Sequence, residues 1–192
     1  GTENIGLTWD GTYFYMGDSG AGVVHRYNSS WALQSGWSIT SVGGVTGVAV
    51  IGTTCYVYVQ SYNGGGSPAN TDVVVPFTIT SSGGTAGTPF STNAQIGGQP
   101  QDLATDGTYL YAVSRTGVVF QYTTSGVYTG ATFSVNPLSS STTDFGGVTF
   151  KGTELYSTNA TDDKVFKFNV TNSVGIIDQV TTDGGTIYTR IL

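Results

Sequence analysis

The chain has 192 residues, which suits one compact domain and is short for two. Charged residues make up only 9% of it, against roughly 25% in an average globular protein, while the 12% of aromatic residues argues against disorder. The net charge of −6 and the lack of a basic cluster exclude nucleic acid as an expected partner. No apolar run approaches the roughly 18 residues that a membrane span needs.

The first residues, the cysteine content and the polar composition bear on where the protein is located. The chain opens with Gly1-Thr2-Glu3, so we expect either a mature form or a segment of a longer chain. Its single cysteine, Cys55, excludes an internal disulfide framework. Ser, Thr, Asn and Gly dominate the polar residues, a composition typical of secreted and virion proteins. We therefore expect an extracellular protein, or one on a cell or virion surface.

A ten-residue unit opens the chain and recurs three more times without gaps. Its copies share the pattern Gly-Thr-x-x-Tyr and start at Gly6, Gly47, Asp102 and Gly147. In each copy a short apolar strand runs into a turn, and an aromatic-rich strand leaves it. Glycine in the turn supplies the positive φ that a tight hairpin requires. The hairpin turns are predicted at Asp10-Gly11, Ile51-Gly52, Asp106-Gly107 and Lys151-Gly152.

Further strands follow each unit at regular distances. Third strands are predicted at 23–28, 73–78, 118–123 and 164–169. Fourth, outer strands are predicted at 36–40, 87–91, 131–135 and 176–180. The second copy reaches its third strand late, because a glycine-rich loop is inserted at 61–71. Four strands in every ~40–50 residues, repeated along a chain, indicate a β-propeller.

The last segment, 180–192, fits the unit once more from its second position. This surplus hairpin has three possible fates: to start a fifth blade of a truncated array, to pack elsewhere within its own chain, or to add strands to a neighbouring subunit. We predict an all-β fold with a single domain over 1–192, a β-propeller of about four blades plus a C-terminal half-repeat hairpin.

The succession of apolar strand, Asp-Gly-Thr turn, aromatic strand and Val-x-x-Tyr strand resembles the NHL and SMP-30/gluconolactonase-like propeller superfamily. It is also similar to the propeller repeats of bacterial surface proteins and phage structural proteins. The resemblance covers nearly the whole chain and implies an architecture rather than an activity. Lactonases of that superfamily hold a metal with Glu, Asn and Asp side chains. No such set is found here, since Glu3 and Glu154 are the only glutamates.

The residues that covalent catalysis requires fall in apolar positions of the repeat. His25, the only histidine, aligns with Val75, Phe120 and Phe166, and Cys55 aligns with Phe14, Leu110 and Leu155. Both alignments favour structural roles. The turn aspartates are explained by the preference of Asp for turns, and Asp162-Asp163 is better interpreted as a solvated turn than as a calcium site. We therefore predict no enzyme, no metal and no cofactor.

Three Asn-x-Ser/Thr triplets mark candidate glycosylation sites. They are Asn28, Asn159 and Asn169. Asn28 and Asn169 occupy the same slot of the repeat, where the third strand enters its outer loop. An exposed position of this kind suits a glycan.

Aromatic residues outside the shared pattern are candidates for ligand binding by stacking. They are Trp31 and Trp37 in the first repeat and Tyr62 in the inserted loop. The alternative for each is packing between outer strands. The inserted loop at 61–71 is itself a candidate binding feature, because function concentrates on loops held by a rigid scaffold.

Two classes of function remain. The first is a non-enzymatic extracellular structural or interaction module, for example a subunit of a surface fibre, an adhesin or a virion appendage. In the sharper form of this class the module self-assembles and is glycosylated, and its partners are copies of itself, surface proteins or glycans. The second is a glycan-binding, lectin-like propeller or a metal-dependent, lactonase-like one.

Overall fold

The computed structural model describes residues 4–41, 43–62, 71–96, 100–135, 145–159, 164–170, 176–181 and 187–188. Over these residues the chain consists of β-strands with one helical turn, α1 (Asn93–Ile96). The strands fall in sequence order into four antiparallel blades. The prediction of an all-β fold is confirmed.

Each blade is built from strands that neighbour one another in the chain. The first blade contains β1 (Asn4–Trp9), β2 (Tyr13–Asp18), β3 (Val23–Asn28) and β4 (Leu33–Thr40). The second contains β5 (Gly44–Ile51), β6 (Thr54–Tyr62), β7 (Thr71–Thr80), β8 (Gly83–Ala86) and the short β9 (Phe90–Ser91). The third contains β10 (Pro100–Thr105), β11 (Leu110–Ser114), β12 (Val118–Tyr122) and β13 (Tyr128–Ser134). The fourth contains β14 (Phe145–Lys151), β15 (Glu154–Asn159), β16 (Lys164–Val170), β17 (Ile176–Thr181) and β18 (Ile187–Tyr188).

A glycine with positive φ closes the first hairpin of every blade, as predicted. The four are Gly11 (φ 97°), Gly52 (φ 56°), Gly107 (φ 90°) and Gly152 (φ 63°). Side chains with a Cβ rarely adopt this conformation. The repeated turn therefore explains why glycine is present at this position in all four copies of the unit.

An aspartate organises this turn in the third blade. The Asp106 Oδ1 atom accepts hydrogen bonds from the backbone N–H groups of Thr108 and Tyr109, both at 2.8 Å, and Oδ2 accepts one from the Tyr111 hydroxyl at 2.7 Å. The Asp10 carboxylate makes the same three contacts in the first blade. The aspartate therefore joins the turn to the second strand of its blade.

We expect Asp106→Ala to lower the free energy of unfolding by about 1 kcal/mol, because three hydrogen bonds to one exposed carboxylate are lost. Asp106→Asn should lower it less, since the amide oxygen still accepts from the two backbone N–H groups. Urea denaturation of both variants beside the wild type measures the difference. Equal stability of Asp106→Ala and wild type would contradict this role of the turn.

The first strands of the four blades, β1, β5, β10 and β14, surround a common axis. β5 lies between β1 and β10, while β14 packs on β10 and approaches β1. Residues of all four strands line a channel of about 180 Å³ along this axis. The strands come close where the repeat has glycine: a Cβ on Gly47 would lie 2.7 Å from the carbonyl carbon of Asp102. The predicted propeller of about four blades is confirmed.

Three apolar cores lie between successive blades. Their largest members with under 2% exposure include Tyr15 between the first and second blades, Tyr58 between the second and third, and Phe166 between the third and fourth. Each core interdigitates side chains from two facing sheets, which is the usual way that sheets pack. Between the fourth and first blades the described residues form no corresponding core.

The outer edge of the second blade differs from the prediction. The outer strand predicted at 87–91 begins earlier, as β8 (Gly83–Ala86), because Ser81 and Ser82 turn the chain back directly after β7. Phe90–Ser91 instead pairs with β7 as β9. A parallel bridge between Ser38 and Gly83 joins β8 to β4, so the first two blades share one nine-stranded sheet.

The described part of the surplus C-terminal hairpin packs within its own chain. β17 serves as the outer strand of the fourth blade, and β18 pairs with its free side, with Val180 opposite Ile187. Residues 182–186 and 189–192 lie outside the described residues. The hairpin therefore extends the fourth blade in this structure.

Candidate functional site

A cleft of about 490 Å³ separates the fourth blade from the first. One wall comes from β1 and β2 of the first blade, and the opposite wall comes from β14, β15 and β16 of the fourth. Its lining residues are Gly6, Leu7, Thr8, Trp9, Phe14, Asp102, Gly147, Val148, Thr149, Tyr156, Thr158 and Val165. The volume lies within the range of small-molecule sites, which are concave and mostly apolar with few polar groups.

The cleft exists because one face of the first blade is left uncovered. In the other blades, the face turned towards the preceding blade is buried, as the complete burial of Cys55, Leu110 and Leu155 shows. Phe14 occupies the same repeat position in the first blade and is only partly buried. Leu7 is 46% exposed, whereas its counterparts in the other repeats are at most 5% exposed. The first blade thus presents to solvent a face that the others use as core.

Aromatic rings form a continuous column on this face. Trp9 lies 4.4 Å from Phe14 between ring centroids, with the planes tilted by 42°. Trp31 stacks on Phe14 at 4.2 Å, with only 9° between the planes. Trp9 is 43% exposed and Trp31 is 53% exposed. We call Trp9, Phe14 and Trp31 the aromatic column. Large exposed aromatic surfaces of this kind mark interaction sites in soluble proteins.

A strained turn holds Trp31 in the column. Its φ of 61° is the only positive φ at a described residue other than glycine. The Asn28 side-chain oxygen accepts hydrogen bonds from the backbone N–H groups of Ser30 and Ala32, at 3.0 and 2.9 Å. The Trp31 N–H donates to the Asn28 carbonyl at 2.9 Å. A strained backbone of this type persists when its surroundings over-determine it, and such residues cluster at functional sites.

A buried carboxylate lies at the floor of the cleft. Asp102 is 4% exposed, and it occupies the repeat position that is glycine in the other three blades. Its Oδ1 atom accepts the Leu103 N–H and its Oδ2 atom accepts the Val148 N–H, both at 2.8 Å. The second bond links the third blade to the fourth next to the axis.

Burial raises the pKa of the Asp102 carboxyl to about 7, although the hydrogen bonds from Val148 and Leu103 oppose the rise. Desolvation disfavours the charged form, and here it outweighs two donated N–H groups. Sequence reasoning missed this residue. The available signal was that an aspartate replaces glycine at the start of one repeat copy.

The structure separates the three aromatic residues that were predicted to bind a ligand. Trp31 is exposed and belongs to the aromatic column. Trp37 is only 3% exposed, its indole N–H donates to the Thr80 carbonyl at 3.0 Å, and the Arg26 guanidinium covers its ring at 4.6 Å. This burial corrects the expectation for Trp37, because its ring lies in the core between the first two blades, 5.3 Å from the Tyr15 ring between centroids. Tyr62 lies in β6, but its side chain and loop residues 63–70 lie outside the described residues.

The three candidate glycosylation sites also differ. Asn28 is partly buried, and the two serines after it are exposed, so a glycan there remains a prediction. Asn159 is only 2% exposed at the end of β15, which corrects the expectation of an accessible side chain at that position. The backbone of Asn169 pairs with Glu154 in β16, while its side chain lies outside the described residues.

His25 and Cys55 lie where their repeat positions indicate. Cys55 is fully buried in the core between the first two blades, and burial raises the pKa of its thiol. His25 is partly buried in β3, opposite Met16 and Ser38. In the part of the chain that the structure describes, no group of three or more His, Cys, Asp or Glu residues is arranged to hold a metal ion. The described helical turn is far too short to cross a membrane.

No protein-family model and no curated protein matches the sequence. The fold, however, is similar to solved structures. Glutaminyl cyclase from Myxococcus xanthus matches 90% of this chain and 68% of its own, with a TM-score of 0.66 and 11% identity. A chain of the mitotic checkpoint complex matches 95% of this chain, with a TM-score of 0.58 and 13% identity. The computationally designed protein Ika8 matches 93%, with a TM-score of 0.54 and 12% identity.

The chain spans about half of the length of the last two, with 52% of the checkpoint chain and 49% of Ika8 covered. At these identities the likeness shows the fold and carries no activity with it. Together with the four blades around one axis, it establishes that the chain is an all-β protein with a β-propeller fold.

Proposed function

We propose that this protein is a non-enzymatic interaction module of the extracellular space, or of a cell or virion surface, and that it binds neutral glycans through the aromatic column. The observation that carries the proposal is the exposure of two tryptophans in one stack, 43% for Trp9 and 53% for Trp31. Aromatic rings present a broad apolar face against which the C–H face of a sugar can pack, and they lose little conformational freedom in doing so.

The geometry of Trp31 supports a binding role rather than a packing role. One face of the Trp31 ring stacks on Phe14 and the Tyr27 ring lies 6.3 Å away between centroids, yet Trp31 stays 53% exposed. A backbone at φ 61° costs about 1 kcal/mol in a residue other than glycine. The chain thus keeps a large apolar side chain in solvent at the expense of local strain.

The charge of the surroundings favours a neutral ligand. The chain has six basic residues. One of them, Arg26, lies over the Tyr13 and Trp37 rings, on the core side of the first blade. No Lys or Arg side chain lines the cleft beside the column, as far as its lining is described. An anionic glycan would normally be matched by such cations. The Ser- and Thr-rich composition supports the extracellular location.

The other interpretations stay predictions that no observation favours. Membership of the NHL or SMP-30-like propellers and a lactonase activity would both be supported by a metal-holding set of Glu, Asn and Asp side chains. The described residues contain no such set. Self-assembly through the C-terminal hairpin is not favoured either, because β18 pairs with β17 of its own chain. The buried thiol of Cys55 supports the absence of nucleophilic chemistry at that residue.

We expect Trp31→Ala to weaken glycan binding at least tenfold, because the exposed stacking face is lost. A glycan array with neutral, sialylated and sulfated members identifies the ligand, and calorimetry with the best neutral glycan measures the loss. Val127→Ala is the matched control, since Val127 is 61% exposed on the third blade and lies outside the column. Failure of the wild type to bind any glycan, or full binding by Trp31→Ala, would overturn the proposal.

A further inference from the structure

The carboxylate at the floor of the cleft is not required by the repeat. Gly6, Gly47 and Gly147 fill the same position in the other blades, and inner strands pack there without any side chain. A Cβ would collide with backbone atoms at Gly6 and Gly47, whereas at Gly147 it would meet only ordinary contacts of 3.6 Å. In the third blade the Asp102 side chain extends to the fourth blade, where its Oδ2 atom accepts the Val148 N–H. The third repeat has therefore placed its one departure from glycine beside the cleft.

The two hydrogen bonds to Asp102 leave part of its capacity unused. A carboxylate has about four acceptor positions on its two oxygens, and two N–H groups occupy two of them. No cationic side chain is found among the described residues that line the cleft. A buried carboxylate without a cation is unfavourable, and a cation beside it would restore the balance.

The walls of the cleft suit a cation with an apolar body. Trp9 and Phe14 form one wall, and Tyr156 stands on the other. Aromatic faces attract cations and pack well on apolar groups. The hydroxyl groups of Thr8 and Thr149 are the remaining polar side chains of the inner strands at this site.

We propose that the cleft binds a small organic cation, with an ammonium group on the Asp102 carboxylate and an apolar or aromatic body between Trp9, Phe14 and Tyr156. This site shares Trp9 and Phe14 with the aromatic column, whereas Trp31 lies outside the cleft lining and Asp102 lies outside the column. The volume of about 490 Å³ accommodates a ligand of this size.

The pKa of Asp102, raised to about 7 by burial, gives the site a pH dependence. Below this pH the carboxyl is protonated and attracts an ammonium group weakly, whereas above it the pair is charged. The strands packed around Asp102 and the strands of the cleft walls carry further titratable residues. They are Tyr13, Tyr15, Asp18, Cys55, Tyr56, Tyr58, Tyr111, Lys151, Glu154, Tyr156, Lys164 and Lys167. Burial raises the pKa of Asp102 and its two backbone hydrogen bonds oppose the rise, with no contribution from these groups.

Three probes of the same shape and different charge test the site. We expect benzylamine to bind wild-type protein at pH 8 at least tenfold more tightly than benzyl alcohol, and benzoate to bind weakest. Calorimetry at pH 5.5 and pH 8 should show the preference for benzylamine shrinking at the lower pH. Equal affinities for benzylamine and benzyl alcohol would overturn the proposal, and this comparison needs no variant.

Variants then assign the preference to one carboxylate. Asp102→Asn should abolish the preference for benzylamine, while Asp106→Asn, which removes a carboxylate from the turn of the same blade, should keep it. If Asp102 served only to link the third and fourth blades, Asp102→Asn would lower stability without changing probe selectivity. Val127→Ala, outside both the cleft and the column, should leave glycan and benzylamine binding unchanged. Glycans and benzylamine are titrated separately against the wild type, so that failure of the glycan proposal and failure of this one are read separately.

Discussion

Between pH 4 and pH 8, the wild-type protein is expected to lose about 4 kcal/mol of unfolding free energy relative to Asp102→Asn. Burial raises the pKa of Asp102 from its ordinary value of 3.8 to about 7 in the folded chain. Between these values the folded state holds a proton that the unfolded state has released. Stability therefore falls as the pH rises through this interval, and it changes no further above the folded pKa. The asparagine variant does not titrate and lacks this slope.

Urea denaturation of both proteins at intervals of one pH unit measures the difference. The other carboxylates of the chain contribute equally to wild type and variant, so the difference isolates Asp102. Asp106→Asn removes one negative charge elsewhere in the same blade and should keep the fall in stability that Asp102 produces between pH 4 and pH 8. A difference between wild type and Asp102→Asn that stays constant from pH 4 to pH 8 would show that Asp102 titrates normally in the folded protein.

Gly47→Ala is expected to destabilise the protein by about 3 kcal/mol or more, because the added methyl group would overpack the contact between β5 and β10. The new Cβ would lie 2.7 Å from the carbonyl carbon of Asp102 and against the backbone nitrogen of Leu103. Both are backbone atoms of an inner strand, so neither can move without shifting the third blade. Thermal unfolding followed by circular dichroism measures the loss.

Gly152→Ala provides the comparison for Gly47→Ala. Gly152 has a φ of 63°, and a Cβ there would meet no atom within 4 Å. Its replacement should cost about 1 kcal/mol through backbone conformation alone. If Gly47→Ala proved no more destabilising than Gly152→Ala, the blades would be packed less closely around the axis than the structure indicates.

The repeat predicted those parts of the fold that each blade builds by itself. The turn glycines such as Gly11 and Gly107 follow from local geometry, and the burial of Cys55 follows from its alignment with Leu110 and Leu155. The outer strand of the second blade was misplaced, because a polar segment with three closely spaced glycines offers several equivalent starts. The sequence therefore predicts the strands that belong to the repeated unit, and it predicts the variable outer strands less well.

The candidate site was harder to predict because it depends on how the ends of the ring meet. Trp9 matches apolar positions such as Val50 in the repeat, so its sequence environment is that of a core residue. Only the position of the fourth blade decides that this face stays open. Trp31 was found because it departs from the shared pattern, whereas Trp37 departs equally and is buried. Asp102 was overlooked because its repeat position is glycine in the other three copies, and such a position indicates close strand packing rather than ligand binding.

The bridge between Ser38 and Gly83 connects the first two blades through the backbone, whereas the other blades lack such a connection among the described residues. A Cβ on Gly83 would meet the Ser38 carbonyl oxygen, so this junction tolerates only glycine. The bridge pairs the outer strand β4 of the first blade with the outer strand β8 of the second. Unpaired outer strands can recruit strands from other molecules, and this pairing removes two such edges. The first two blades should therefore open and close as one cooperative unit, whereas the third and fourth have separate sheets joined by side-chain packing and the Asp102–Val148 hydrogen bond. Local opening of the ring is then expected between the fourth and first blades, where the cleft lies.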